Sequence, residues 1–165
     1  MTLPFHFESH QRVPSLGQLL DDMARSTLIP EAHLLLVKNS HVLLLRRQNT
    51  GYEDGNYSVI AGHIEKSETA RQGMAREALE EAGLIIQPED LVLCHVMHRK
   101  AEDNQVGFFF KAERWTGEPR NLEPGKCSEL SWFHVDSLPA NLIPYVRQAI
   151  KETLRGATYS EHGWP

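Results

Sequence analysis

The segment of residues 69–82, TARQGMAREALEEA, constrains the fold of this chain more than any other. Thr69 and Gln72 have the spacing of a helical capping box, and Gly83 suits the left-handed residue that ends a helix. Successive helical residues lie about 100° apart around the axis. One face of the predicted helix therefore carries only the small side chains of Ala75, Ala78 and Ala82. Such a face can lie close against a sheet, which predicts an α/β fold.

The opposite face of this predicted helix carries three carboxylates. Glu77, Glu80 and Glu81 are spaced i, i+3 and i+4, so they share one side and point away from the sheet. Like charges four residues apart destabilise a helix by only a few tenths of a kcal/mol. The crowding therefore fits a solvated surface as well as a site for a divalent metal, and the neighbouring residues must decide. Gly73 within the helix costs about 1 kcal/mol relative to Ala, so another contact must stabilise that turn.

Six apolar segments predict the strands of a mixed sheet. They cover residues 32–39, 41–48, 57–64, 90–100, 105–115 and 130–135. Asn39 and Ser40 predict a tight hairpin connection between the first two strands, and Gly62 predicts a turn in the third. A second helix is predicted over residues 144–155. Because the two helices are far apart in sequence, we expect one on each face of the sheet, an α/β/α sandwich.

The length of 165 residues is typical of one domain. Residues 1–30 are interpreted as a lead-in, in which PSLGQLLDDMARS suggests a short helix. We expect residues 31–165 to form a single domain.

Charge and composition disfavour several classes of protein. The net charge of −5 gives no basic surface for nucleic acid. No segment approaches the about 20 apolar residues of a membrane span, and the N-terminus lacks the pattern of a secretory signal. Cys94 and Cys127 lie outside any CxxC pair, which favours free thiols in a reducing compartment. We therefore expect a cytoplasmic protein with no nucleic-acid or membrane partner.

The spacing of residues 62–84 decides between the two interpretations of the acidic helix. Gly62 is followed after five residues by Glu68, and after seven more by REALEEAGL, residues 76–84. This pattern resembles the signature of the Nudix hydrolases, Gly-x5-Glu-x7-Arg-Glu-U-x-Glu-Glu-x-Gly-U, in which U is aliphatic. Every fixed position is met, with Ala78 as a small U residue. Family members often have Leu-Pro-Gly-Gly at the start, whereas this chain has Ile-Ala-Gly-His.

The resemblance implies a Nudix fold and a site for Mg²⁺, with Mn²⁺ as the alternative. The expected metal ligands are Glu77, Glu80, Glu81 and the backbone carbonyl of Gly62. Carboxylate oxygens are the ligands that such a hard cation prefers. Glu68 and Arg76 would orient these carboxylates. His63 is either a further ligand or a residue that shapes the pocket, and the second role is favoured because the carboxylates already suit the metal.

The resemblance also implies hydrolysis of a nucleoside diphosphate linked to another group. The residues expected to act in catalysis are Arg76, Glu77, Glu80 and Glu123, with Glu129 as the alternative to Glu123. The leading substrate is a (deoxy)nucleoside triphosphate, cleaved to the monophosphate and pyrophosphate. The alternatives are a nucleoside diphosphate sugar or ADP-ribose, or a Nudix module that binds nucleotide without turnover. The family also suggests a homodimer.

Several residues outside the signature are candidates for substrate contacts. The basic ones, which could bind phosphate, are Arg46, Arg47, His98, Arg99 and Lys111. The aromatic ones, which could stack on a base, are Tyr52, Tyr57, Phe108, Phe109 and Phe110. Core packing is the favoured role for the three phenylalanines, as it is for Trp115 and Trp132.

Overall fold

The computed structural model describes residues 27–165. In order along the chain, the elements are β1 (Ile29–Leu34), β2 (Val37–Lys38), β3 (His41–Arg47), β4 (Tyr57–Ser58), β5 (Ile60–His63), α1 (Ala70–Ala82), a 3₁₀ turn (Pro88–Asp90), β6 (Leu91–Lys100), β7 (Asn104–Ala112), β8 (Cys127–His134), α2 (Pro144–Leu154) and β9 (Tyr159–His162). The helix suggested for residues 14–26 lies outside the described residues. Ile29 and Pro30, assigned to the lead-in from sequence, already belong to β1.

The strands form two sheets. The larger sheet has the order β5-β1-β7-β6-β9, and the smaller one has β2 and β4 on one edge of β3 and β8 on the other. In the larger sheet β1 runs parallel to β7 and β6 parallel to β9, whereas β5 and β1, and β6 and β7, are antiparallel. The predicted mixed sheet is therefore confirmed.

The two helices cover opposite faces of the larger sheet. Alternate residues of β7 show this, because Phe110 packs in the cluster that contains Met74, Ala78 and Ala82 of α1, while Phe109 packs with Ala149 of α2. The α/β/α sandwich predicted from sequence is confirmed, and the alanine stripe lies where it was expected. Among residues 27–165, no helix is both long and apolar enough to cross a membrane.

The first predicted hairpin is correct at its turn but wrong in its extent. Asn39 and Ser40 have φ values of 50° and 59°, and β2 pairs with β3 across them. The predicted strand of residues 32–39 is in fact two strands, because the chain leaves the larger sheet after Leu34 and enters the smaller one at Val37. Leu34, Leu35 and Leu36 are all buried. The apolar run therefore continues through the crossing between the sheets, and no break is visible in the sequence.

The predicted strand of residues 57–64 also divides between the sheets. Its first part, β4, pairs with β3, and its second part, β5, pairs with β1. Gly62 is paired with Ala32 within β5, so the turn predicted there is wrong. The glycine is needed because the Glu77 carboxylate lies against it, and not for a change of chain direction.

The ends of α1 are as predicted. The Thr69 hydroxyl accepts a hydrogen bond from the Gln72 amide at 3.3 Å, the Gln72 side chain accepts one from the Thr69 amide at 2.8 Å, and Gly83 has φ 66°. Helix α2 also lies where the sequence placed it. Strand β9 was missed, because residues 159–162 are polar and half exposed and show no apolar alternation.

Candidate active site

Arg76 connects the loop before α1 to the carboxylates of the helix. Its Nη2 and Nε donate to the two oxygens of Glu68 at 2.7 and 3.2 Å. Its Nη1 donates to Glu77 at 2.7 Å and to Glu80 at 3.1 Å, and Nη2 also donates to the His63 carbonyl at 3.1 Å. One guanidinium group therefore sets the positions of three carboxylates and of the end of β5.

Two glycines make room for these carboxylates. A Cβ at Gly62 would overlap the carboxylate of Glu77. A Cβ at Gly73 would lie 2.9 Å from Oε1 of Glu68, which is closer than a carbon–oxygen contact allows. The glycine within α1 is thus explained by the Glu68–Arg76 pair that packs on it, which is the contact that the sequence required but could not identify.

The carboxylates of α1 that lie deepest are held close together away from water. Burial, followed by the negative charge of Glu77, raises the pKa of Glu81 to about 8. Burial likewise raises the pKa of Glu77, and the hydrogen bond from Arg76 opposes that rise. The charge of Glu123 adds to the upward shift of both. Carboxyl groups that resist ionisation because they are buried and lie close to one another are suited to a divalent cation, which would favour their charged forms.

The side chains as they stand do not yet surround a cation. Within residues 27–165, no three acidic, His or Cys side chains are arranged as a ready metal cage. Glu80 has 53% of its side chain exposed and points its Oε2 at Arg76. Glu81 accepts a hydrogen bond from the Ala61 amide at 3.4 Å. The donor set, oxygen from carboxylates and from the Gly62 backbone, has the chemistry that Mg²⁺ and Mn²⁺ prefer, and Glu80 has room to turn from Arg76.

Of the two further carboxylates considered from sequence, Glu123 and Glu129, only Glu123 lines the cleft with the carboxylates of α1. Glu123 lines the same cleft as Glu77 and Glu81, and Lys126 donates to it at 2.9 Å. Glu129 lies in β8 and accepts a hydrogen bond from the Tyr57 hydroxyl at 2.6 Å. That bond holds the pKa of Glu129 below its usual range.

The cleft has a volume of about 650 Å³ and runs from α1 to the α2 face of the larger sheet. Its cations include Arg47, Lys126 and Arg99. Arg47 donates to the Tyr52 carbonyl at 2.8 Å and to the Thr50 hydroxyl at 3.0 Å. The cleft therefore joins an acidic wall to basic groups, an arrangement that suits a substrate with both phosphate and metal.

The other basic candidates lie away from the cleft. Arg46 donates to the Gly55 carbonyl at 3.0 Å and does not line the cleft. Lys111 borders a separate apolar groove beside α2. The ring of His98 packs against that of Trp164, with 4.6 Å between centroids.

Among the aromatic candidates, Tyr52 lines the cleft, whereas Tyr57 is buried and bonded to Glu129. Core packing of the phenylalanine run and of the tryptophans is confirmed. The residues concerned, buried or packed against a core cluster, are Phe108, Phe109, Phe110, Trp115 and Trp132. His63 also lines the cleft; its side chain is 71% exposed, and its Nε2 lies 3.7 Å from Oε1 of Glu31.

The cleft residues that sequence reasoning missed include Glu31, Gln105 and Tyr145. Glu31 and His33 are polar at alternate positions of a strand whose other residues are apolar. This alternation is the one signal that could have indicated a polar group under the cleft. Gln105 and Tyr145 carry no such signal, because each is the second residue of its strand or helix.

Comparison with known proteins identifies the family. The NUDIX domain matches residues 28–155. The NAD-capped RNA hydrolase NudC of Stutzerimonas stutzeri is 31% identical over 127 residues, which are 77% of this chain and 43% of that protein. The 8-oxo-dGTP diphosphatase of Escherichia coli is 30% identical over 112 residues, 66% of this chain and 85% of that protein. A crystal structure of a MutT NUDIX hydrolase from Burkholderia pseudomallei has a TM-score of 0.70 at 25% identity, over 76% of this chain and 98% of that one.

The chain belongs to the Nudix hydrolase family, whose enzymes act on pyrophosphate bonds and bind nucleotide substrates. Enzymes of this family generally depend on a metal. The chain spans less than half the length of the NAD-capped RNA hydrolases it matches.

Proposed function

We propose that this protein hydrolyses a (deoxy)nucleoside triphosphate to the nucleoside monophosphate and pyrophosphate, with Mg²⁺ or, alternatively, Mn²⁺. The observation that carries the proposal is that Glu77, Glu81 and Glu123 line one cleft together with Arg47. Burial, followed by the charge of Glu77, raises the pKa of Glu81 to about 8, so a divalent cation would favour the charged carboxylates. Arg47 and Lys126 in the same cleft suit the phosphates of the substrate.

The residues that would hold the metal are Glu77, Glu80, Glu81 and the carbonyl of Gly62. When bound, the metal would screen the negative charge of the phosphoryl oxygens and polarise the scissile bond. Arg76 acts by position, because it fixes the rotamers of Glu77 and Glu80 and anchors the strand that carries Gly62. Removing it should disorganise the ligands without removing any of them.

Glu123 is the proposed proton acceptor. It lies on a loop across from α1, lines the cleft, and is one of the carboxylates near enough to shift the pKa of Glu81. Its neighbour Lys126 can hold it in place and offers a second positive charge to phosphate. A carboxylate that is not fully engaged by metal can accept a proton from the attacking water.

Similarity to the Escherichia coli 8-oxo-dGTP diphosphatase, which extends over 85% of that protein, supports a nucleoside triphosphate as the substrate. The alternative substrates are a nucleoside diphosphate sugar or ADP-ribose. Similarity to the NAD-capped RNA hydrolases adds NAD to the compounds worth testing. A binding module without turnover is disfavoured, because every carboxylate of the signature is present.

The decisive experiment is a nucleotide panel. The purified protein is incubated with nucleoside triphosphates, ADP-ribose, a nucleotide sugar and NAD, with Mg²⁺, with Mn²⁺ or with a chelator, and the products are separated. We expect pyrophosphate and a monophosphate from a triphosphate, only when metal is present. Glu80→Gln should lower kcat by about 100-fold or more, whereas the exposed Glu118→Gln should match the wild type. Turnover of diphosphate-linked compounds alone would favour the alternative substrates.

Location and assembly complete the proposal. The two free cysteines favour a reducing compartment, and we propose a cytoplasmic enzyme. We also propose a homodimer. Light scattering coupled to size exclusion should then give about twice the 18.8 kDa of one chain; a mass equal to one chain would reject the dimer.

A further inference from the structure

A second charged cluster, which the reaction proposed above does not use, lies at the far end of the cleft. Nη2 of Arg99 donates to Oε2 of Glu31 at 2.8 Å, and Nε2 of Gln105 donates to its Oε1 at 3.1 Å. We call these three residues the Glu31 row. The side chains of Arg99 and Glu31 are only 7% and 13% exposed, yet both line the cleft.

The fold alone does not require this ion pair. Removing two charges from water is unfavourable, and a buried pair often contributes no more stability than well-packed apolar residues of the same size. The row lies on three adjacent strands, β1, β6 and β7, where apolar side chains would pack equally well. A buried ion pair that faces a ligand-sized cleft is therefore a candidate for binding.

The row is rigid and still has hydrogen-bonding capacity. The Tyr145 ring supports the Arg99 guanidinium from behind at 4.2 Å, and Nη1 of Arg99 donates to the Tyr52 hydroxyl at 3.3 Å. Of the five N–H donors of Arg99, one is used for Glu31 and one for Tyr52. Each oxygen of Glu31 accepts one hydrogen bond within the row and can accept another. An acceptor and a donor are thus held side by side, facing the cleft.

The position of the row fits the base of a nucleotide whose phosphates lie at α1. In the antiparallel pairing of β1 with β5, Glu31 is opposite His63 and Ala32 is opposite Gly62. The row is therefore one strand away from the backbone that we propose as a metal ligand, since paired Cα atoms are about 5 Å apart. Tyr52, whose side chain is partly exposed in the cleft, offers a ring for base stacking.

We propose that the Glu31 row selects guanine, an inference that rests on the proposed nucleotide hydrolysis and deepens it. Guanine presents two adjacent donors, N1–H and the 2-amino group, and beside them the acceptor O6. Glu31 accepts from the two donors and Arg99 donates to O6. Adenine presents a lone pair at N1, which would face a carboxylate oxygen. Hypoxanthine keeps N1–H and O6 but lacks the 2-amino group.

The first test uses the wild-type protein with substrates that differ by one group. We expect kcat/KM for GTP to exceed that for ATP and that for ITP by about tenfold or more, since a hydrogen bond to a charged group is worth at least one decade. Calorimetry without metal, with GMP and AMP, gives a second measure that needs no turnover. Tighter binding of GMP is expected; equal binding, or a preference for AMP, overturns the inference.

The second test is Glu31→Gln, compared with Glu118→Gln as a matched exposed control. The ratio of kcat/KM for GTP to that for ATP should fall about tenfold or more in Glu31→Gln, through KM, and stay at the wild-type value in the control. If the ion pair is merely structural, Glu31→Gln will lower kcat/KM for GTP and for ATP alike. The ratio will then stay unchanged, which would refute the proposal. If no nucleotide is hydrolysed, the proposed function fails, while the calorimetry still decides whether the row selects guanine.

Discussion

Two arginine networks occupy opposite ends of one cleft and differ in how they are built. Arg76 bonds to Glu68 and Glu80, which lie eight and four residues away in sequence, and its side chain is 26% exposed. Arg99 bonds to Glu31, which lies 68 residues away, and its side chain is 7% exposed. The first network belongs to one helix and the loop before it, and the second exists only once three strands have assembled.

The difference predicts different consequences of damage. The Arg76 network lies within one helix and the loop before it, so its loss should have little effect on the sheet. It orients the carboxylates proposed to hold metal, so its loss should affect activity. A buried network between strands is tied to the sheet itself, because a charge left without its partner there is costly. Damage to the first should therefore appear mainly in activity, and damage to the second in stability as well as in the proposed preference for guanine.

The largest expected effect is the loss of stability in Arg99→Met. The substitution leaves the Glu31 carboxylate buried beside Gln105 without its cation, which should lower the free energy of unfolding by about 3 kcal/mol. Arg76→Met should lower it less, because that side chain is nearer to water. Urea unfolding monitored by circular dichroism measures both. Arg114→Met is the control, since its ion pair with Asp90 has an arginine side chain that is 80% exposed and is expected to add little. Equal losses in all three variants would contradict the comparison.

The next effect separates activity from stability within the first network. In Gly62→Ala the new methyl group overlaps the Glu77 carboxylate, and that side chain can swing aside without disturbing the backbone. We expect an unchanged melting temperature and a loss of metal-dependent activity of about 100-fold. Gly125→Ala is the matched control, because a Cβ there meets nothing within 4 Å. A Gly62→Ala enzyme with wild-type kcat would show that Glu77 is not needed where it stands.

The third effect is a pH dependence of the free energy of unfolding, caused by His33, which is buried next to Glu31. Burial, followed by the charge of Arg99, lowers the pKa of His33 to about 3 from its usual 6.5. The unfolded chain therefore binds a proton at this residue between pH 6.5 and about 3 that the folded chain does not. The stability that His33 contributes is complete above pH 6.5 and is lost progressively as the pH falls towards 3.

Urea unfolding at pH 7 and pH 5 tests this sign. The wild type should lose about 2 kcal/mol more over this interval than His33→Gln, which cannot titrate. The exposed His134→Gln should keep the wild-type dependence. If His33→Gln and the wild type fall in parallel, the imidazole is accessible to protons in the folded state.

The elements that sequence predicted best are those set by local chemistry. The capping residues of α1, the turn at Asn39 and the stripe of alanines each depend on neighbours within a few residues, and each is found as predicted. The errors lie where distant parts of the chain decide. Whether the run after Leu34 continues in one sheet or crosses to the other depends on β3 and β7, and the position of β9 depends on β6.

The same distinction applies to the site. The acidic face of α1 follows from spacing on one helix, and its support by Arg76 was implied by the resemblance to the Nudix signature. The expectation that all three carboxylates point away from the sheet is wrong for Glu77 and Glu81, which contact Gly62 and Ala61 of β5. Glu31, Arg99 and Gln105 come together only through the order β1-β7-β6. Periodicity could indicate that Glu31 faces inward, but no single-sequence pattern identifies its partners. Glu123 was preferred over Glu129 as a catalytic carboxylate, and that role stays a prediction. The fold alone shows that Glu123 lines the cleft while Glu129 lies in β8.

The smallest expected effect concerns Gly73, where helix propensity and the Arg76 network oppose each other. Replacing Gly by Ala within a helix normally adds about 1 kcal/mol of stability, but here the new Cβ would lie 2.9 Å from Oε1 of Glu68. Gly73→Ala alone should therefore gain nothing or lose up to about 1 kcal/mol. In a Glu68→Ala background the carboxylate is gone, and the same substitution should recover the full gain of about 1 kcal/mol. Urea unfolding of the four proteins of this double-mutant cycle measures the coupling. A gain of the same size in both backgrounds would mean that Glu68 does not hold the position it has beside α1, and that the network around Arg76 is looser than its hydrogen bonds indicate.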